Sequence, residues 1–268
     1  MQFRQKALSK LQSPEELDLP VRFARPQGRL VLAVTVVVMA AAAFWAFTGT
    51  VSSTLTAPGI LTRAGGSYRL QSPVAGQVTD VLAEEGQLLA AGAPLLTVRT
   101  EQGERPVRAV AAGRLAALVA EVGSVVAPGA DVATVERVQD PREPLVAVLY
   151  VPAGRGAAIP VDARVDLGVP SVPAQQFGVL RGRVKAVGRA PLTPGQIGSF
   201  LGDAGLGEQF ARSGNPVSVL VQLEPSPSTR SGYRWSSAEG PPYAVDSRTP
   251  VTGSVHLAER RPVDWLLP

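Results

Sequence analysis

Residues 72–100 read SPVAGQVTDVLAEEGQLLAAGAPLLTVRT, and residues 109–137 read AVAAGRLAALVAEVGSVVAPGADVATVER. The two stretches align without gaps at an offset of 37 residues. Gly76, Gly86 and Gly92 fall on Gly113, Gly123 and Gly129, while Val78, Val81, Leu95 and Val98 fall on Leu115, Leu118, Val132 and Val135. Glycines in register with apolar residues between them describe strands of about two to five residues separated by tight turns, because glycine supplies the positive φ that such turns need. One half is too small to bury its own apolar face. Two halves packed as facing sheets can share a core of Val and Leu. The spacing therefore predicts a two-sheet β module over residues 71–138.

Upstream, Leu30 to Phe47 reads LVLAVTVVVMAAAAFWAF, with Thr35 as its one polar residue and no charge from Leu30 through Thr62. A bilayer core needs about 20 apolar residues, so residues 30–51 are expected to form a transmembrane helix. Arg29 and Leu30 mark its near end, and Phe44, Trp45 and Phe47 suit the far interface. The run is too long, and too far behind a polar stretch of 29 residues, for a cleaved signal peptide. Residues 1–29 carry Arg4, Lys6, Lys10, Arg22, Arg25 and Arg29 against Glu15, Glu16 and Asp18. The positive-inside rule then places them in the cytoplasm and the bulk of the chain outside. Ser13-Pro14-Glu15-Glu16 has the pattern of a helix start, with Ser13 as N-cap and Glu16 as its partner.

Downstream of Pro144, five stretches mostly alternate apolar and polar residues between Pro- and Gly-rich turns: 145–151, 163–168, 179–187, 217–223 and 251–257. They predict a small antiparallel barrel over residues 139–268, with residues 52–70 as a linker or first strand. Alternation in 179–187 puts Val179, Arg181, Arg183, Lys185 and Val187 on one face, and Leu180, Gly182, Val184 and Ala186 on the other. Arg181, Arg183 and Lys185 are thus a candidate partner-contact face, weighed against an ordinary solvated barrel wall. Between these strands, residues 193–213 predict two short helices, the first beginning at Thr193-Pro194 and the break falling near Gly202–Gly205.

Composition narrows the chemistry. The 268 residues include no cysteine and one histidine, His256. Disulfides, thiol nucleophiles, Cys-ligated zinc and multi-histidine metal sites are excluded. Glu84, Glu85 and Glu121 precede equivalent turns of the repeat and imply no pocket, so solvated turn residues outweigh an acid–base pair. Gly202-Asp203-Ala204-Gly205-Leu206-Gly207 lacks the preceding βα unit and the lysine of a phosphate loop. Arg260, Arg261 and Trp265 could face a membrane or a partner, with an ordinary closing strand as the default. No catalytic, cofactor-binding or metal-binding residue is assigned. Of the net charge of +4, three units lie in residues 1–29, so the rest is nearly neutral and the excess marks topology rather than nucleic-acid binding.

The repeated G-x-V-x-x-V-x-x-x-G-x-x-V-x-x-G-x-x-L-x-x-V pattern resembles the biotinyl/lipoyl fold, the barrel-sandwich hybrid. Carriers of that fold present a lysine on the hairpin between the halves. Here the connection, Arg99-Thr100-Glu101-Gln102-Gly103-Glu104-Arg105-Pro106, has none; the three lysines are Lys6, Lys10 and Lys185. A swinging-arm carrier is excluded, and no cofactor is expected. An anchor followed by a lysine-less lipoyl module resembles the haemolysin-D-like membrane fusion proteins, periplasmic adaptors of ABC exporters and efflux pumps. The β-barrel after the module fits the same resemblance. Many members insert a long α-helical hairpin between the halves. This chain joins them by about eight residues, which leaves contact with an outer-membrane channel unassigned.

The segments FRQKALSKLQSPEELDLPVRF and YRWSSAEGPPYAVDSRTPVTGSVHLAERRPVDWLLP, with the helical insert, resemble the adaptor subunit of NHLP-type bacteriocin (leader-peptide) export systems. The resemblance implies a non-enzymatic, single-pass inner-membrane protein that self-associates beside an ABC transporter, with or without a peptidase domain, while a peptide cargo passes. Two other readings compete with it. One is an extracytoplasmic scaffold unconnected with export. The other is an enzyme with its catalytic site in the barrel, the weakest of the three given the residues available.

Overall fold

The computed structural model describes residues 26–48, 53–138, 140 and 143–257. The helix start expected at Ser13–Glu16 and the Arg260-Arg261 and Trp265 cluster lie outside these residues. One helix, Pro26–Thr48, precedes the β structure. Proline suits its first position because the missing N–H would be unpaired there anyway. At 1.5 Å per residue it is about 34 Å long, and its stretch Gly28–Thr48 has a mean hydropathy of 2.5 with none of it buried. Leu30, Val37, Phe44, Trp45 and Phe47 are all exposed, so the helix is apolar on every face. Its two hydroxyls are turned back onto the backbone: Thr35 Oγ1 donates to the Val31 carbonyl at 2.8 Å and Thr48 Oγ1 to the Phe44 carbonyl at 2.7 Å. That arrangement satisfies both hydroxyls within the helix.

The first strand after it, β1 (Thr54–Thr62), belongs to the barrel taken up below. Next come β2 (Ser67–Gln71), β3 (Gly76–Val81), β4 (Leu88–Leu89), β5 (Pro94–Thr100), β6 (Gly103–Arg108), β7 (Gly113–Leu118), β8 (Val125–Val126) and β9 (Asp131–Arg137). They form two four-stranded sheets ordered β2-β9-β7-β4 and β6-β5-β3-β8. The 37-residue offset carries β2, β3, β4 and β5 onto β6, β7, β8 and β9, so one sheet order is the image of the other. The repeat is thus longer than the sequence alignment, since it takes in β2 and β6. Its strands reach seven residues, beyond the expected two to five.

Each short strand pairs with the opposite half, β4 on β7 and β8 on β3. The turn bonds follow the same symmetry: the Gly86 N–H donates to the Leu115 carbonyl at 2.7 Å and the Gly123 N–H to the Val78 carbonyl at 2.8 Å. Neither half can close its sheet alone. The shared core holds Leu70, Val78, Leu95, Leu96, Val98, Val107, Leu115, Val132 and Val135; burying each such side chain contributes about 1.5–3 kcal/mol.

The repeat glycines divide into two kinds, which corrects the single role expected of them. Gly86, Gly92, Gly123 and Gly129 have φ between +80° and +93° with open space around them, as tight turns require. Gly76 and Gly113 are there for close approach. A Cβ on Gly76 would lie 2.2 Å from the Arg99 carbonyl oxygen, and one on Gly113 would lie 2.3 Å from that of Glu136. The link between the halves is also tighter than its eight residues suggested. Most of those residues lie in β5 and β6, with Thr100 paired to Gly103, leaving Glu101-Gln102 as the turn.

The barrel adds β10 (Val146–Pro152), β11 (Arg164–Gly168), β12 (Leu180–Val187), β13 (Pro216–Leu223) and β14 (Pro250–His256). It closes in the order β1-β10-β13-β12-β11-β14, every pair antiparallel. β1 comes from ahead of the repeat, so the sandwich is inserted between the first barrel strand and the other five. Leu149 fills the interior where β1 and β14 carry Gly59 and Gly253; a Cβ on either glycine would come within 2.6 Å of a Leu149 methyl group. The alternation expected along 179–187 holds from Leu180 to Val184 and then fails. A register shift between Val184 and Ala186 exposes Ala186 and leaves Val187 half-buried against the core.

Two helices, Pro194–Leu201 and Ala204–Phe210, lie against the outside of the barrel through Ile60, Val148, Tyr150, Ile197 and Leu201. Thr193 caps the first in a capping box with Gln196, and left-handed Gly202 ends it. Phe200 approaches Gly66, and the Gly202 carbonyl accepts from Thr134 Oγ1 at 3.2 Å. The helical pair therefore bridges barrel and sandwich.

Candidate functional site

Among the described residues no group of three or more His, Asp or Glu side chains could hold a metal ion. The candidate acids are turn residues. Glu85 Oε1 accepts from the Leu118 N–H at 2.9 Å, and the N–H groups of Glu84 and Glu121 donate to Gln87 and Ser124 at 3.0 and 3.1 Å, again in symmetric positions. Asp203, in the Gly-rich stretch, caps the helix Ala204–Phe210 through the Leu206 N–H at 3.1 Å and pairs with Arg248 at 3.2 Å. It is a helix start and not a phosphate cradle. His256 Nε2 lies 3.0 Å from Asp166 Oδ2 on the barrel surface. Burial pushes the Tyr150 phenol above its usual value, and the Phe210 ring stacks on it at 4.6 Å.

Two places among the described residues after the apolar helix concentrate charge. The first is the joint between sandwich and barrel. Glu136, at the end of β9, is 2% exposed. Its Oε1 accepts from the Arg63 N–H at 3.3 Å and from the Ser247 hydroxyl, and its Oε2 lies 3.4 Å from Arg63 Nε. Arg63, just after β1, also donates to the Glu143 carbonyl. The symmetry mate of Glu136 is Arg99, which stands in water beside Glu104 with 64% of its side chain exposed. The repeat thus keeps its backbone symmetry and breaks it in side chains where the barrel meets one end. Residues 101–103 are the mates of 64–66, so the Glu101-Gln102 turn occupies the symmetric position, at the free end of the sandwich. That turn is held by Thr100 Oγ1, which donates to the Gly103 carbonyl at 2.8 Å and accepts from the Gln102 N–H at 3.1 Å. It carries no amine.

The second place is the barrel wall. Arg181 pairs with Asp166, and Arg183 Nε lies 3.2 Å from Glu224 Oε1. Lys185 is exposed, and Arg183 and Lys185 stand on the outer face because Gly182 and Val184 point inward. Sequence reasoning missed two further members. Arg164 on β11 sits directly opposite Arg183, and Arg234 reaches Glu224 Oε2 at 3.5 Å. Arg234 arrives on a segment that runs beside β12, its N–H donating to the Glu224 carbonyl at 2.8 Å and its carbonyl accepting from the Arg181 N–H at 2.8 Å. Only strand pairing brings these residues together; spacing along the chain does not.

No protein-family model matches this chain, and no curated protein matches it either. Solved structures do share its fold. ZneB from Cupriavidus metallidurans aligns with a TM-score of 0.52 and 10% identity over 78% of this chain and 100% of that one. MacA from Actinobacillus actinomycetemcomitans aligns with a TM-score of 0.50 and 9% identity over 80% of this chain and 81% of that one. A structure described as the periplasmic adaptor protein EmrA aligns at 0.38 with 7% identity over 77% and 99%, a score too low to carry weight. At these identities the likeness is one of fold alone. This chain itself is mainly β, with an apolar N-terminal helix, a lipoyl-like sandwich whose halves are joined by a tight turn, and a closed six-stranded antiparallel barrel with a short helical insert.

Proposed function

We propose that this chain is the membrane-anchored adaptor, or membrane fusion, subunit of an ABC-type exporter, with a leader-containing, bacteriocin-like peptide as its cargo. One observation carries the reading. A swapped lipoyl-like sandwich with no lysine at its hairpin is coupled to a closed barrel, in a chain whose N-terminal helix is long and apolar enough to cross a bilayer. Without an amine to acylate, the sandwich has no carrier chemistry to perform. What remains is a packed spacer whose free end bears the Glu101-Gln102 turn.

In this reading residues 1–29 are cytoplasmic and residues 30–51 span the inner membrane, with Arg29 and Leu30 at the near interface and Phe44, Trp45 and Phe47 at the far one. The sandwich (71–138) and barrel (139–268 together with β1) stand outside. Several copies surround the exit of the transporter, and the mechanism is structural. Symmetric pairing of residues 72–100 with 109–137 through Gly76, Gly86, Gly92, Gly113, Gly123 and Gly129 makes each copy a stiff post, which suits a ring of identical subunits.

The test is export itself. Supernatant peptides are compared between cells with the chain and cells lacking only it. A leader-cleaved peptide should vanish from the supernatant of the deletion strain and return on complementation. An unchanged peptide profile contradicts the reading and favours a scaffold unconnected with export.

A further inference from the structure

The barrel wall described above is electrostatically frustrated. Arg164 and Arg183 are direct cross-strand partners, an arrangement in which like charges repel. Arg183 shares the Glu224 carboxylate with Arg234, and Arg181 shares the Asp166 carboxylate with His256. Arg164 is exposed and has no carboxylate partner among the described residues. Arg164, Arg181, Arg183 and Arg234, with Asp166 and Glu224, line a concavity of about 250 Å³ that thus holds four guanidinium groups and two carboxylates. The excess of two positive charges is unmatched by the wall's own acids, and nothing in the packing of the barrel requires it.

We infer that this concavity, centred on Arg164 and Arg183 with Arg181 and Arg234 at its rim, is a docking site for an acidic segment of a partner protein. Guanidinium groups bind carboxylates through paired, directional N–H donors, so separate acidic side chains can enter between fixed positive positions. Asp166 and Glu224 sharpen the choice of partner. Each is only 24% exposed and already paired, Asp166 with Arg181 and His256 and Glu224 with Arg183 and Arg234. A uniformly anionic surface such as a sheet of phospholipid headgroups would be repelled at those two points, whereas a peptide with spaced carboxylates can avoid them. The inference relies on the adaptor reading only for why a partner is needed. It is tested on the purified chain alone, so its failure leaves copurification with a transporter untouched.

The experiment measures binding of fluorescently labelled hexaglutamate and hexaglutamine to the full chain in neutral detergent micelles, by anisotropy at low salt. Hexaglutamate should bind saturably, and hexaglutamine should not. Arg164→Gln and Arg183→Gln should each weaken hexaglutamate binding about tenfold, while Arg99→Gln on the sandwich should leave it unchanged. Without peptide, Arg164→Gln should raise the melting temperature by about 1 °C, because a like-charge opposition is removed; this gain shows that lost binding is not lost folding. Equal binding of both peptides, or of Arg164→Gln and the parent chain, overturns the inference. So does tighter capture, through the same arginines, by phosphatidylglycerol-containing phosphatidylcholine vesicles than by hexaglutamate.

Discussion

Replacing Glu136 by alanine should cost the extramembrane part about 3 kcal/mol or more, because removing one partner of a buried pair strands the other. The magnitude follows from what surrounds it. Glu136 is 2% exposed and the Arg63 side chain 12%, so both ends of the pair are largely withdrawn from bulk water. Arg63 keeps only the Glu143 carbonyl. Ser247 and the Arg63 N–H lose their common acceptor, at about 1–3 kcal/mol for each donor left unpaired. A loss of 3 kcal/mol is more than a hundredfold in the folding equilibrium. The assay is urea unfolding of the full chain in detergent, followed by the change in tryptophan fluorescence as Trp235 leaves the barrel core in which it lies buried. Arg63→Met should cost a similar amount, since it leaves Glu136 as the stranded charge. The double variant Glu136→Ala with Arg63→Met should recover part of the loss, because no charge is then stranded, although Ser247 and the residue-63 N–H still lack their acceptor. The double-mutant cycle should therefore return a coupling above 1 kcal/mol. Additive losses, or a cost under 1 kcal/mol for Glu136→Ala, would refute the joint as drawn.

Three further outcomes are expected. Gly76→Ala and Gly113→Ala should each cost more than about 2 kcal/mol by forcing backbone apart. Gly86→Ala and Gly123→Ala, where only φ is unfavourable, should cost about 1 kcal/mol; equal costs in a denaturation series would undo the division. Gly253→Ala should destabilise the barrel by about 1–3 kcal/mol, and adding Leu149→Val should restore part of it by making room at the same point; a worse double variant would contradict the shared space. Tyr150 should make the fold sensitive to alkali. Its neutral phenol is the buried form, and the unfolded chain releases that proton above about pH 10. Stability is therefore intact below that pH and is lost as pH rises past it. Ultraviolet titration should show the Tyr150 phenolate only as circular dichroism collapses, and Tyr150→Phe should remove that component.

Much of the fold can be read in the sequence where burial imposes a period. Most of the later barrel strands alternate because one face is packed, whereas β10 departs from that expectation and is buried on both faces, between the barrel core and the helical pair; the in-register glycines mark the turns of the sandwich. β1 is only half legible, in a stretch that reads as either a linker or a first strand, because Pro58 and Gly59 sit inside it. Pro58 nonetheless pairs with Thr252, and Gly59 is required where the Val148 carbonyl passes. The outer strands β2 and β6 keep little in common beyond the core positions Leu70 and Val107, so alignment stopped short of them. The charged joint has no sequence signal at all. Glu136 and Arg63 are far apart in the chain, and the mate of Glu136 is an arginine. The barrel wall shows the same limit, since Arg181, Arg183 and Lys185 are visible by alternation and Arg164 and Arg234 arrive by pairing alone.

The adaptor reading meets its most direct test in the composition of the native complex. An affinity-tagged full chain, cross-linked in intact cells and purified from solubilised membranes, should bring down an ABC transporter in near-stoichiometric amount together with further copies of itself. Recovery of the chain as a self-assembly without any ATP-binding membrane protein would contradict it.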